Sequence, residues 1–178
     1  MCVQQSKIIC WEFKSSKFYF LVLIGSLLMI LAPPIWALTQ VEVAKLTASD
    51  GASSDSFGQS VAVDGDTALI GAYGDDDNGR ASGSAYVFTR NAGVWTEQAK
   101  LTASDGARAD TFGHSVAVDG DTALISARED DHNGSYSGMA YVFTRKAGVW
   151  TEQEKLTASD GASSDRFGGS VAVDGEGA

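Results

Sequence analysis

Beyond residue 44 the chain is written in short apolar, β-branched runs broken at regular intervals by glycine and aspartate. Residues 60–63 (SVAV) and 67–72 (TALIGA) are two such runs, and Asp64-Gly65 between them readily takes the positive φ angles of a tight hairpin turn. A polar, acidic stretch over 73–83 is followed by 84–90 (SAYVFTR), a turn at Asn91-Ala92-Gly93, and 94–101 (VWTEQAKL). The pattern predicts four consecutive strands, joined antiparallel. No segment places apolar residues at helical spacing over three turns, so the expectation is all-β.

The pattern then repeats. Residues 57–72 (FGQSVAVDGDTALIGA) return as 112–127 (FGHSVAVDGDTALISA) and begin a third time at Phe167, a spacing of 55 residues each time. Repeats one (45–99) and two (100–154) open on the same KLTASDGA phrase and differ at 13 of 55 positions; a third (155–178) runs for 24 residues. Residues 38–44 alternate in a way that suits a lead-in edge strand. Val61 to Val63 and Ala68 to Ile70 are apolar on both faces, whereas a free-standing sandwich would alternate cleanly. Sheets buried on both sides suit blades stacked about an axis, and the more polar run with Glu97, Gln98 and Lys100 suits an outer rim. The predicted fold is a partial β-propeller of about two and a half four-stranded blades. Closed propellers use about four to eight, so the chain reads as a portion of a longer protein.

The first 37 residues differ in kind. Lys7, Lys14 and Lys17 form a basic head, residues 18–32 are an uncharged apolar run, and Pro33-Pro34 ends any helix. That order predicts a hydrophobic signal helix over 1–37, cleaved on export, or else an anchor through residues 18–38 as the one membrane contact. Either way the chain is expected to be secreted or held at the cell surface. Cys2 and Cys10 both lie in this segment, so the remainder has no thiol for a disulfide framework. The full chain carries a net charge of −10, and residues 1–37 contribute +2 (three Lys against Glu12), leaving −12 on the rest. Such a surface repels phosphate backbones and excludes nucleic acid as a partner.

Phe57-Gly58, a pair that returns at the same register in each repeat, followed by Gly71-Ala72-Tyr73 in repeat one, resembles the FG-GAP repeat, with Tyr73 standing where the motif name has proline. Such repeats build the propeller of integrin alpha subunits and recur in secreted bacterial proteins with KLTASDGA-type phrases; the resemblance covers 45–178. It implies an extracellular β-propeller, often calcium-bound, used in adhesion or ligand binding. Integrin-type repeats carry a calcium loop between the two motif words. Here that interval is only Val63-Asp64-Gly65-Asp66, too short to supply the roughly 6–8 oxygens calcium requires.

Acidic residues gather instead after the second strand: Asp75, Asp76, Asp77 and Asn78 in repeat one, Glu129, Asp130 and Asp131 in repeat two. Two readings stand, a loop folded round calcium or a solvated loop that keeps the protein soluble. Asp50, Asp55, Asp105, Asp110, Asp160 and Asp165 are expected to cap turns. Trp95 and Trp150 are expected to pack between blades, Phe57, Phe112 and Phe167 to wedge neighbouring blades together, and His114 to be an exposed variable position. No nucleophile elbow or repeated Ser/His/Asp arrangement occurs, so the chain is not expected to be an enzyme. The repeats differ most over 71–84 and 126–139, which makes Tyr73, Arg80, Arg128 and Tyr136 candidate ligand-binding residues. The expected function is binding or adhesion toward a protein or glycan ligand. The alternatives are a propeller module of a larger secreted enzyme and a structural component of the cell envelope.

Overall fold

The computed structural model describes residues 42–175. The expected signal segment lies outside them. Among the described residues there are eight strands and no helix: β1 Val61–Asp64, β2 Thr67–Ala72, β3 Ser84–Asn91, β4 Val94–Leu101, β5 Phe112–Asp119, β6 Thr122–Ala127, β7 Met139–Lys146 and β8 Val149–Leu156. They form two antiparallel sheets in chain order, β1-β2-β3-β4 and β5-β6-β7-β8, one per repeat. The expected lead-in strand is not formed over its described part, residues 42–44. The first sheet ends at β1 and β4 and offers no further strand as ladder partner. The segment that follows instead lays Leu46 and Ala48 on that sheet's apolar face.

The hairpins explain the register. Asp64 pairs with Thr67, so the first loop is Gly65-Asp66, one residue later than the sequence pattern placed it, with Gly65 at φ 53°. Asn91 pairs with Val94, leaving Ala92 and Gly93 at φ 49° and 82°. Two successive positive φ angles are what a type I′ turn demands, and its twist matches that of the strands.

The sheets stack face to face. Leu69, Ala85, Val87 and Leu101 of the first pack into one core with Phe112, Ile125, Tyr141, Phe143 and Trp150 of the second. The first sheet's opposite face (Ala68, Ile70, Tyr86, Phe88) is covered by Leu46, Ala48, Phe57 and Trp95. The two sheets are consecutive blades of a partial β-propeller, as expected. Phe112 is fully buried, edge-on to Tyr141 and Phe143 at 5.4 and 6.0 Å between ring centroids, and is the predicted wedge. Trp150 is buried in the same core and approaches Gln98 of the first blade at 3.4 Å, so its role is packing between blades.

Burial of the first strand depends on a neighbour rather than on its own sequence. Val61 and Val63 are 62% and 66% exposed, whereas Val116, the counterpart of Val61, is 6% exposed against the first blade. The expectation that SVAV is buried on both faces therefore holds only in repeat two.

The joint between blades repeats too. Val116 N donates to Ser60 Oγ (3.0 Å) and Gly120 N to Asp64 Oδ2 (2.8 Å). Fifty-five residues on, Val171 N donates to Ser115 Oγ (3.1 Å) and Gly175 N to Asp119 Oδ2 (2.8 Å). The third repeat thus docks on the second as the second docks on the first.

Candidate functional site

The β2–β3 loop (73–83) and the segments that lead into β1 and β5 meet at one end of the sheets. Gly74 N donates to Asp55 O (3.0 Å), while Ala109 N, Thr111 N and Phe112 N donate to the carbonyls of Arg80, Ala81 and Ser82 (2.9, 3.1 and 2.9 Å). Each loop therefore grips its own repeat on one side and the next repeat on the other. The segments cap themselves: Asp55 Oδ2 accepts from Ala52 N (2.5 Å), Asp110 Oδ2 from Ala107 N (2.7 Å) and Asp165 Oδ2 from Ala162 N (2.7 Å). Those three fulfil the turn-capping expectation.

Among these loops lies a cleft of about 610 Å³. Ser53, Ser54 and Ser56 line one side; Tyr73, Gly74, Asp76, Arg80 and Ala81 line the other. Two of the candidate ligand-binding residues, Tyr73 and Arg80, are thus brought together, with serines the sequence reading had missed. Of the eight lining residues only Asp76 is unchanged in repeat two; the other seven become Arg108, Ala109, Thr111, Arg128, Glu129, Ser135 and Tyr136. The other two candidates lie in repeat two. Arg128 Nη1 is 3.1 Å from His114 Nε2, and the His114 ring is 6.0 Å from that of Tyr73. His114 is therefore half-buried between two loops, not an exposed variable position. Burial, reinforced by the Arg128 charge, pushes its pKa down. Tyr136 stands 43% exposed.

The candidate metal residues of the two loops divide. Asp76 Oδ1 accepts from Ala81 N and Asp131 Oδ1 from Tyr136 N, both at 2.7 Å, so these carboxylates brace their own loops. Asn78 and Asn133 donate their backbone amides to Ser82 and Ser137. Asp130 Oδ1 accepts from His132 N (2.8 Å), and Glu129 N donates to Asp110 O (3.2 Å). Asp75 and Asp77 do converge, and the residue they meet is Asp50, which the sequence reading made a turn cap. The three place carboxylate oxygens within 4.8 Å of one another, a grouping that could hold a metal ion.

A cation already stands there. Lys100 Nζ lies 2.7 Å from Asp50, 3.0 Å from Asp75 and 2.5 Å from Asp77. The Tyr86 hydroxyl lies 2.7 Å from Asp50 Oδ1 and 2.9 Å from Asp75 Oδ2, and its one proton is shared between them. Burial opposes the charge on Asp75, but bonds from Lys100, the Asp77 amide and Tyr86 outweigh it and hold its carboxyl below the usual range. Bonds from Lys100 and Tyr86 do the same for Asp50. Burial likewise opposes the charge on Lys100, yet the three carboxylates keep it firmly protonated. Calcium at about 2.3–2.6 Å from the same oxygens would occupy the place of that ammonium, so the residues as arranged do not fit it. Asp105 repeats part of the pattern, with Lys155 at 2.6 Å and Tyr141 at 2.9 Å, and is likewise not a turn cap.

A family model described as FG-GAP repeat matches residues 41–88, 95–143 and 150–178. No curated protein matches the chain.

Proposed function

Starting from the fact that the chain belongs to the FG-GAP repeat family, we propose that it is a non-catalytic β-propeller module, exported from the cell, that binds a glycan through the loop end of its blades. One observation carries this reading: seven of the eight residues lining the cleft differ between two repeats that differ at only 13 of 55 positions overall. A constant scaffold with variation gathered in one concave patch is how recognition surfaces are built. The residue types favour a hydroxylated ligand over a flat protein surface. Tyr73 offers a ring face, Arg80 a fork of donors, and three serines offer hydroxyls that both donate and accept. Export is supported by the basic head and apolar run of residues 1–37, and FG-GAP repeats typically occur in extracellular or surface proteins.

The test is a glycan array probed with the purified chain and with the Tyr73→Ala/Arg80→Ala double variant. The expected outcome is a defined set of bound glycans, with at least about tenfold weaker binding by the variant, equivalent to roughly 1.4 kcal/mol. The variant's melting temperature should be unchanged. Equal binding by both proteins would overturn the assignment of the cleft.

A further inference from the structure

We propose that Lys100 is the resident cation of the Asp50–Asp75–Asp77 cluster, and that the chain needs no divalent ion at this cluster in its first blade. The geometry is that of a built site with its occupant in place. One ammonium lies within 3.0 Å of all three carboxylates. Its three donors match the three acceptors in number. Its side chain is only 18% exposed, and the charge lies 5.2 Å from the centre of the Tyr86 ring, which closes the remaining side.

The four segments that meet are far apart in the chain. Asp50 comes from the segment entering the first blade, Asp75 and Asp77 from the β2–β3 loop, Tyr86 from β3 and Lys100 from the end of β4. Lys100 is also the first residue of the second KLTASDGA phrase. The phrase thus carries the positive charge at one end and, five residues on, the acid that meets the next lysine. Asp50 is bound by Lys100, and Asp105 by Lys155.

Repeat two supplies an internal control. His132 replaces Asp77, and Lys155 has one close aspartate, Asp105 at 2.6 Å, with Glu152 more distant at 3.7 Å. Removing Lys100 leaves three carboxylates crowded together, and like charges at that separation repel strongly. A divalent ion is the natural replacement for the lost charge. Removing Lys155 leaves no such trio.

The test compares wild type, Lys100→Ala and Lys155→Ala as full chains, melted in chelator and in millimolar calcium chloride. The readout is thermal and owes nothing to ligand binding at the cleft. Wild type should melt at the same temperature in both buffers. Lys100→Ala should melt about 5 °C or more lower in chelator and regain at least half of that in calcium, because a metal that binds only the folded state raises its stability. Lys155→Ala should be lowered without recovery. A rise in the wild-type melting temperature with calcium would overturn the proposal, as would a Lys100→Ala protein as stable as wild type in chelator. Should Lys100→Ala fail to fold in either buffer, equilibrium dialysis of wild type against calcium decides: no bound ion supports the resident lysine, and a bound ion overturns it.

Discussion

Asp110 shows how one position can work against the fold that contains it. The residue is 6% exposed, and burial, with Asp130, Asp105 and Asp131 adding their charges, raises its pKa to about 6 despite the bond from Ala107 N. Between about pH 4 and 6 the folded chain therefore holds a proton that the unfolded chain has released. The contribution of this residue is complete below the unfolded pKa and lost as pH rises through 6. Asp50, Asp75 and Asp105 have lowered pKa values and act in the opposite sense, losing their contribution as pH falls below the ordinary carboxylate range. Asp110→Asn keeps an acceptor for Ala107 N and removes the charge. It should be more stable than wild type by about 1–2 kcal/mol at pH 7, with the gap closing near pH 4 in urea melts. Equal slopes with pH for the two proteins would contradict this. The capping role of Asp110 was legible, since it needs only neighbours in the chain. The pairing of Lys100 with Asp50 was not, because residues 50 positions apart meet only once β4 lies beside β3.

Strands and their order were legible because runs of Val, Ala, Ile and Tyr between glycines constrain the chain locally. The extent of each turn was less so, for a glycine can serve at either position of a two-residue loop. The β3–β4 and β7–β8 turns hold Ala92 and Ala147 at φ 49° and 50°, where a Cβ crowds the following carbonyl. Asparagine tolerates that region better. Ala92→Asn and Ala147→Asn should each raise stability by about 0.5–1 kcal/mol, read as a higher denaturant midpoint with unchanged slope. A lowered midpoint would show that these alanines are held by something other than turn geometry. Exposure of β1 could not be read from SVAV, since the same four letters are open to water in repeat one and packed in repeat two.

Across the whole molecule the two motif words of neighbouring repeats meet each other. A Cβ on Gly71 would stand 2.0 Å from the carbonyl oxygen of Gly113 in the next blade. Gly71→Ala should force the sheets apart and cost roughly 3 kcal/mol or more, seen as a large fall in melting temperature. A small effect would mean that the joint is looser than the close approach of Gly71 and Gly113 requires. That the blades stack was legible from their two-sided apolar strands. That Ser60 and Asp64 would reach across to the next blade was not, because both are ordinary turn and strand-end residues in the sequence. Those two bonds, returned at Ser115 and Asp119, make both seams among the described residues head-to-tail and give them the same pair of polar contacts. Plug and socket travel together on each unit, so unequal recombination within the gene can insert or delete a whole 55-residue unit and still leave these two polar contacts paired at the new junction.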